Sequence, residues 1–318
     1  MNEMTRREFL KRAAAVGGAM ALSPAVLWAE EAAKNAVPTP PLDLCVARWA
    51  GDPVPEEGVD AMAARLTERA METLGGMKRF VSKGDVVWIK PNIGWNRAPE
   101  LAATTNPAVV GTLAKLCLDA GAKKVKVGDH PCHPAAEAYR NSGIEAAAKE
   151  AGAETVFLDE DRYREMKIGG ERLDKWPVYP EIVEADLVIN VPVAKHHGLS
   201  QATLCMKNYM GIVGGRRNAW HQDLPTCLND ITAFMKPRLS VLDGVRILTS
   251  NGPTGGNPKD VKRTDTVAAG TDIVALDAFG AELLGHRSDR ILTVQAGWRA
   301  GLGDIDWRAT VMEEIGVS

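Results

Sequence analysis

The hydrophobic pattern alternates along most of the chain between short apolar runs and longer segments in which apolar residues recur every three or four positions. The first pattern is typical of buried strands and the second of amphipathic helices. The predicted strands are Leu44–Trp49, Val86–Lys90, Lys124–Val127, Thr155–Leu158, Leu187–Val191 and Leu239–Leu242. The predicted helices are Val59–Phe80, Pro107–Ala120, Ala135–Ala151, Leu224–Met235 and Ile273–Leu284. This alternation predicts an α/β fold with a mostly parallel or mixed sheet and helices on both faces.

The same pattern sets the expected domain organisation. Residues 30–41, EEAAKNAVPTPP, are polar and proline-containing and end without helical periodicity, so they are interpreted as a linker. Neither an internal repeat nor a second linker follows, and a single α/β domain is therefore expected over residues 42–318. Residues 161–180 interrupt the alternation and indicate either a small inserted subdomain or the edge of one.

The amino terminus is similar to a bacterial twin-arginine (Tat) export signal. Arg6 and Arg7 precede an apolar stretch that ends near Ala29. This stretch of about 17 residues is shorter than the roughly 20 that a stable membrane helix needs. We expect residues 1–29 to be a cleaved signal peptide that directs the protein through the Tat export machinery to the periplasm, with no stable membrane span afterwards. An uncleaved anchor is the alternative.

Charge and composition narrow the class of partner. The chain has 318 residues, a net charge of −3 and 5% aromatic residues. Removal of residues 1–29 takes away four basic and two acidic side chains, so the net charge of the exported chain is −5. A nucleic-acid binder usually carries a basic surface and stacking aromatics, and we therefore expect no nucleic-acid partner.

Most standard catalytic signatures are absent from the sequence. There is no phosphate-binding G-x-x-x-x-G-K-[ST], no G-x-G-x-x-G after a strand, no H-E-x-x-H and no G-x-S-x-G. There is also no C-x-x-C that would hold zinc or an iron–sulfur cluster. The five cysteines are odd in number, so they cannot all pair, although one disulfide involving Cys132 would suit an oxidising periplasm.

Polar residues instead follow several predicted strands and form a dense block in the middle of the chain. The block contains the segments NVPVAKHHG at 190–198, KNYMG at 207–211 and RRNAWH at 216–221. Because the carboxyl ends of strands in open α/β sheets border the ligand crevice, these residues are expected to lie together. Lysine, histidine and asparagine there would suit a carboxylate, a phosphate or a developing oxyanion.

The order of these motifs resembles the bacterial and archaeal Domain of Unknown Function 362 (DUF362) family from about Leu42 to Leu284. The resemblance is carried by Lys90-Pro91-Asn92, Asn190 to His197, Lys207-Asn208 with Gly211, His221, Asp243-Gly244, Gly252-Pro253 with Gly256, and Asp272 with Asp277. Many relatives are associated with iron–sulfur clusters through an appended ferredoxin-like domain with cysteine repeats. This chain lacks those repeats and has no motif for an intrinsic iron–sulfur cluster, and a separate electron-transfer protein is the alternative partner that the resemblance leaves open.

Two groups of candidate site residues follow. The catalytic candidates are Lys195, His197, Lys207 and His221, and the substrate-binding candidates are Lys90, Asn92, Asn190, Asn208, Asp243, Gly252 and Gly256. Lysines can bind and polarise an anion, and imidazole titrates near neutral pH. In an extended backbone His196 points away from His197, so only His197 is expected in the site. Surface lysines, core histidines and turn-closing aspartates are the structural alternatives.

A possible metal site lies just after the third predicted strand. Asp129, His130, Cys132 and His133 are four potential ligands within five residues. Asp129 or Cys132 together with His133 would need further donors from elsewhere in the chain, for which Cys205, His197 and Cys227 are the candidates. A helix cap or turn closure is the alternative for Asp129.

Together these features predict an exported enzyme, of redox or metal-assisted type, that acts on a small anionic molecule. The lysines would bind the anion while His197 or His221 exchanges a proton. A lysine whose pKa is lowered by burial could alternatively form a Schiff base. The competing hypothesis is a non-catalytic periplasmic protein that binds a ligand, or assembles or delivers a metal or iron–sulfur cofactor.

Overall fold

A ten-stranded sheet runs through the part of the chain that the structure, a computed structural model, describes, which is residues 41–318. The strands are β1 Leu44–Trp49, β2 Val86–Pro91, β3 Lys124–Val127, β4 Glu154–Thr155, β5 Arg164–Lys167, β6 Lys175–Val178, β7 Leu187–Val191, β8 Val193–His197, β9 Gln201–Thr203, β10 Leu239–Leu248, β11 Val261–Gly270 and β12 Met312–Val317. The predicted signal peptide and residues 30–40 of the predicted linker lie outside the described residues.

Helices connect and cover these strands. They are α1 Val59–Thr73, α2 Pro107–Ala120, α3 Ala135–Asn141, α4 Ile144–Glu150, α5 Pro180–Val183, α6 Cys205–Asn208, α7 Leu224–Met235, α8 Ile273–Leu283 and α9 Leu292–Arg299. Within residues 41–318, none of the helices has the length and apolar character needed to cross a membrane.

The sheet is mixed and mostly parallel, as the hydrophobic pattern predicts. Its strand order is β12-β1-β11-β10-β7-β2-β3-β4, and β8 extends it by pairing with both β10 and β9. Among the described strands of this ten-stranded sheet, the antiparallel pairs are β1 with β11, β10 with β11, and β8 with β9. The block formed by β10, β7, β2, β3 and β4 is parallel throughout, so its carboxyl ends meet at one edge.

Each face of the sheet carries its own hydrophobic core, which confirms helices on both faces. Leu44, Val46 and Trp88 point into the core that includes residues of α7, α8 and α9. Their sequence neighbours, such as Cys45 and Val87, point into the core formed with α1, α2 and α4. Successive side chains of a strand face opposite sides of a sheet, and strands buried on both faces are therefore continuously apolar.

Several elements differ from the sequence-based boundaries. The first helix ends at Thr73 rather than Phe80, because Gly75 and Gly76 adopt positive φ angles that a helix cannot continue through. The predicted helix over 135–151 is interrupted at Gly143, where φ is +73°. Of the predicted strand at 155–158 only Thr155 pairs in the sheet. β5, β6, β8, β9, β11 and β12 are additional strands.

The segment that interrupts the alternation forms a separate antiparallel hairpin, β5 with β6. Asp230 of α7 holds the chain within it, because its carboxylate accepts hydrogen bonds from the backbone N–H groups of Glu171, Arg172 and Leu173 at 3.0, 2.7 and 2.8 Å. The hairpin therefore packs against the helical layer rather than extending the main sheet.

Candidate functional site

A cavity of about 460 Å³ opens at the carboxyl edge of the parallel strands. All four catalytic candidates, Lys195, His197, Lys207 and His221, line it, as do the binding candidates Lys90, Asn92, Asn208 and Gly252. Asp129 and Cys132 from the predicted metal cluster also line it. Asn190, Asp243, Gly256 and His133 lie outside the lining.

The topology explains why residues so distant in sequence converge. Lys90 belongs to the end of β2, and Asp129 follows β3, its parallel neighbour. Lys195 and His197 lie two residues apart on β8 and so project to the same side of the sheet. His196, between them, points the other way, and its Nδ1 accepts a hydrogen bond of 3.1 Å from the Gly252 N–H.

Lys90 is a fully buried cation that is held by three acceptors. Its Nζ lies 2.6 Å from Asp129 Oδ1 and donates hydrogen bonds to the Pro91 carbonyl and Asn208 Oδ1, at 2.7 and 3.0 Å. Burial lowers the pKa of Lys90, and the adjacent Asp129 carboxylate opposes this shift. A methyl group on Gly211 would lie 2.6 Å from Lys90 Nζ, so only glycine fits over this ion pair. Lys90 and Asp129 thus neutralise each other at the cavity floor.

Lys195 is equally buried but makes no ion pair with any residue in the described range 41–318. Its Nζ donates to Asn92 Oδ1 at 2.9 Å and to the Ala103 carbonyl at 2.5 Å. Burial lowers the pKa of Lys195 to about 7, and the neighbouring Lys207 ammonium adds to this shift. Near neutral pH this amine therefore exists in both its charged and its neutral form.

A network of three asparagine side chains ties these lysines together. Asn208 Oδ1 accepts hydrogen bonds from Lys90 Nζ and from Asn92 Nδ2, both at 3.0 Å. Asn208 Nδ2 donates to Asn190 Oδ1 at 2.8 Å, and Asn190 Nδ2 donates to the Cys205 carbonyl at 2.9 Å. Asn190 thus lies outside the cavity lining and positions Asn208, which is part of the lining.

His197 and His221 stack on each other beside Lys207, with ring centroids 5.4 Å apart and planes inclined by 18°. His197 Nδ1 accepts hydrogen bonds from the N–H groups of Leu199 and Ser200, so in the neutral ring the proton is on Nε2. His221 Nδ1 lies 3.1 Å from the Asn218 carbonyl and therefore carries the proton, which leaves Nε2 to accept from Lys207 Nζ at 3.4 Å.

The cavity has a strong positive bias. Burial and the Lys207 charge lower the pKa of His197 to about 3, and the same two causes lower the pKa of His221. Burial lowers the pKa of Lys207 to about 8, with a further contribution from Arg217 and an opposing one from Cys132. Among the described residues Lys195, Lys207 and Arg217 make no ion pair, and Asp129 is the only carboxylate in the lining. The histidines are therefore neutral at pH 7 and the cations are unbalanced.

Asp243 and Gly256 lie outside the cavity lining, where their contacts support the backbone of neighbouring elements. The Asp243 carboxylate accepts hydrogen bonds from the backbone N–H groups of Asn106, at the start of α2, and of Val245, at 2.7 and 3.0 Å. Burial raises the pKa of Asp243 to about 6. Gly256 has a φ of +121°, and a methyl group there would lie 3.4 Å from the Arg97 guanidinium. The two residues shape the elements that surround the cavity.

The three candidate metal ligands take separate positions. Asp129 is paired with Lys90, whereas His133 Nδ1 accepts a hydrogen bond of 3.1 Å from the Asn96 N–H. Cys132 is exposed and lies 3.7 Å from Arg217 Nη2. Within residues 41–318 no group of three or more His, Cys, Asp or Glu side chains is arranged to hold a metal ion. The other four cysteines, Cys45, Cys117, Cys205 and Cys227, are buried, and all five are free thiols.

Arg217 and Thr203 are two of the lining residues that were not among the candidates. Arg217 donates to the carbonyls of His130 and Met210, at 2.9 Å each, and so joins the β3 loop to the segment after α6. The Arg216-Arg217 pair within the polar block is the sequence feature from which Arg217 could have been predicted as a lining residue. Thr203 also lines the cavity, and its buried hydroxyl has no hydrogen-bond partner among residues 41–318. Nothing in the sequence distinguishes it from other strand threonines.

Fold and site together define an α/β protein with a cationic cavity at the carboxyl ends of its parallel strands. The profile of the family described as Domain of unknown function (DUF362) matches residues 87–282. A thylakoid-associated protein of Synechocystis sp. is 31% identical over 248 aligned positions, and the match covers 73% of this chain and 73% of that protein. The chain belongs to the DUF362 family.

A solved structure also aligns with the chain. The lactate racemase apoprotein of Thermoanaerobacterium thermosaccharolyticum is 13% identical, with a TM-score of 0.43. The alignment covers 76% of this chain and 57% of the racemase chain.

Proposed function

We propose that the protein is an enzyme that binds a small organic anion in the cavity and transfers a proton to or from it. The observation that carries this proposal is the charge balance of the lining. Lys195 and Lys207 face the cavity without a carboxylate partner among the described residues, while Asp129 is already paired with Lys90. Buried cations are costly unless paired, so an anion that enters offsets this cost.

The neutral histidines supply the acid–base component. His197 presents an Nε2–H group to the cavity, and His221 Nε2 is an acceptor that faces the Lys207 ammonium. Lys207 and His221 can therefore pass a proton between them while the anion is held by the neighbouring cations. The expected redox or metal-assisted reaction type stays a prediction beside this one.

The anion site can be tested by thermal unfolding of the protein with a panel of acetate, lactate, pyruvate and inorganic phosphate. A ligand at 100 times its Kd stabilises the folded state by about 2.7 kcal/mol, which gives a measurable rise in Tm. We expect such a rise in the wild type and its loss in Lys207→Met. Lys259→Met, at an exposed position outside the cavity, is the matched control and should respond like the wild type. If no anion raises the Tm of the wild type, the proposal fails.

Proton transfer is tested separately on the anions that bind. In D₂O an enzyme of this type incorporates deuterium into the bound anion at a carbon next to its carbonyl or carboxylate, and His221→Ala should slow this exchange. Binding without any exchange would instead support the non-catalytic periplasmic binding or delivery protein.

We further propose that the protein is exported by the twin-arginine pathway and acts in the periplasm. The support comes from Arg6-Arg7 before the apolar stretch, and from the relative that is itself described as thylakoid-associated. In cell fractionation the wild type should be recovered from the periplasm, and the double variant Arg6→Lys with Arg7→Lys should remain in the cytoplasm. Equal export of the two proteins would contradict this proposal.

A further inference from the structure

The two buried lysines of the cavity differ in the number of acceptors that surround them. An ammonium group has three N–H donors, and a neutral amine has two N–H donors and one lone pair. Lys90 Nζ has three acceptors within 3.0 Å, one of them the Asp129 carboxylate. Lys195 Nζ has two, Asn92 Oδ1 and the Ala103 carbonyl. The surroundings of Lys90 match an ammonium ion, and those of Lys195 match a neutral amine.

The third tetrahedral direction of Lys195 Nζ is therefore available to a ligand. Lys195 is only 1% exposed, yet it lines the cavity, so this free direction faces the cavity rather than bulk solvent. The two hydrogen bonds come from different parts of the chain, since Asn92 follows β2 and Ala103 precedes α2. They fix the nitrogen in place, which is what a nucleophile requires.

We infer that Lys195 is a covalent nucleophile that forms a Schiff base with the carbonyl group of a small oxo acid. This inference rests on the proposed function, because it takes the bound anion to be a carboxylate that also carries an aldehyde or ketone. In a 2-oxo acid the two groups are adjacent. Its carboxylate can pair with Lys207 and Arg217 while its carbonyl carbon meets Lys195, since all three side chains line one cavity.

The step balances without any further reactant. The Lys195 lone pair forms a C–N bond as the C=O π electrons move to oxygen. One nitrogen proton passes to that oxygen, and the Lys207 ammonium supplies a second proton, so that oxygen leaves as water. The nitrogen keeps one proton and re-forms the lost bond as C=N⁺. Lys207 then regains its proton from solvent water, while His221 Nε2, 3.4 Å away, accepts its hydrogen bond.

The protonation state of Lys195 also supports its assignment as the nucleophile. The pKa of Lys195 is lowered to about 7, mainly by burial and then by Lys207, so a large fraction of the amine is unprotonated at neutral pH. An ordinary lysine, with a pKa near 10.4, is almost wholly protonated there and is a poor nucleophile.

The test is reductive trapping. The full chain is incubated with glyoxylate, pyruvate or 2-oxoglutarate and sodium cyanoborohydride, and intact mass and peptide mapping locate the product. We expect one adduct per chain, with a mass gain equal to that of the acid less one oxygen atom, on Lys195. Its yield should rise as the pH is raised through about 7, in step with the neutral amine. Lys90, in the same cavity, should stay unmodified, which provides an internal comparison in the wild type.

Variants and thermal unfolding distinguish failure of the Schiff-base inference from failure of the proposed anion site. Lys195→Met should lose the adduct, and the exposed control Lys259→Met should retain it. If the wild type binds oxo acids in thermal unfolding but forms no adduct, or forms it on Lys207 or Lys90, the inference is overturned and the anion site stands. If the wild type neither binds nor reacts, the proposed function fails as well. The wild-type peptide map decides the outcome even if Lys195→Met does not fold.

Discussion

At the scale of single residues, the cavity depends on how each buried polar atom is satisfied. Lys90 and Asp129 form an ion pair that Gly211 covers. Because the two charges cancel, this pair does not contribute to the net charge of the cavity lining. Within the described part of the chain, Lys195 has two neutral acceptors and no counter-charge. Burial of an unpaired ammonium costs several kcal/mol, and a lowered pKa is the way in which a protein avoids that cost. The chemistry assigned to Lys195 follows from this difference between the two lysines.

A pH-dependent stability follows from the same residue. The pKa of Lys195 is about 7 in the folded state, and an ordinary lysine has a pKa near 10.4. Between these values the unfolded chain holds more protons, so the free energy of unfolding rises with pH, by up to about 1.4 kcal/mol per pH unit. Relative to Lys195→Met, the wild type should therefore gain about 3 kcal/mol between pH 6 and pH 9.

The measurement is urea unfolding of both proteins across that pH range. The exposed Lys259→Met variant should show no such change relative to the wild type. A constant difference between the wild type and Lys195→Met would show that Lys195 has an ordinary pKa.

At the scale of secondary-structure elements, the β8–β9 hairpin organises the site. β8 projects Lys195 and His197 into the cavity, and His197 closes the turn by accepting from Leu199 and Ser200. His196 faces the opposite way and holds the loop at Gly252 through Nδ1. Gly198 also donates to the Gly252 carbonyl at 3.2 Å, so the hairpin and this loop support each other.

Loss of the His196 contact should loosen that loop. In His196→Ala the Gly252 N–H loses its acceptor, and we expect a destabilisation of about 1 kcal/mol, the usual contribution of one hydrogen bond. Amide hydrogen exchange should accelerate at residues 250–256 and stay unchanged in the sheet core. His286→Ala, outside the cavity lining, is the control. Unaltered exchange in the loop would mean that His196 does not hold it.

The sequence predicts a strand or helix correctly where the spacing of apolar residues stays the same along the whole segment. β1, β3, β7, α2 and α7 have the predicted bounds. β11 was not predicted because its first half, Val261–Asp265, is mostly polar and only partly buried. The convergence of Lys90, Lys195, Lys207 and His221 could be anticipated from strand ends. The hydrogen-bond partners that distinguish Lys90 from Lys195 could not, since Ala103 and Asp129 reach them from loops whose paths depend on tertiary packing.

At the scale of the whole molecule, five free thiols are distributed across the fold. Cys45, Cys117, Cys205 and Cys227 are buried, and burial raises the pKa of each, which makes them poor nucleophiles. Cys132 alone is exposed. An Ellman titration should therefore detect one reactive thiol in the native protein and five after denaturation. Cys132→Ser should abolish the native signal. A count of three after denaturation would instead reveal a disulfide.

The excess positive charge of the cavity lies within a chain whose net charge is −3. Calorimetric titration of the protein with lactate, an anion that cannot form a Schiff base, tests this cavity most directly. The titration is made in two buffers of different ionisation enthalpy. At about pH 8 the amines of Lys195 and Lys207 are partly neutral, and a bound anion should draw in about one proton as they become charged. Lys195→Met should reduce this uptake. Binding without proton uptake, or no binding at all, would contradict the account.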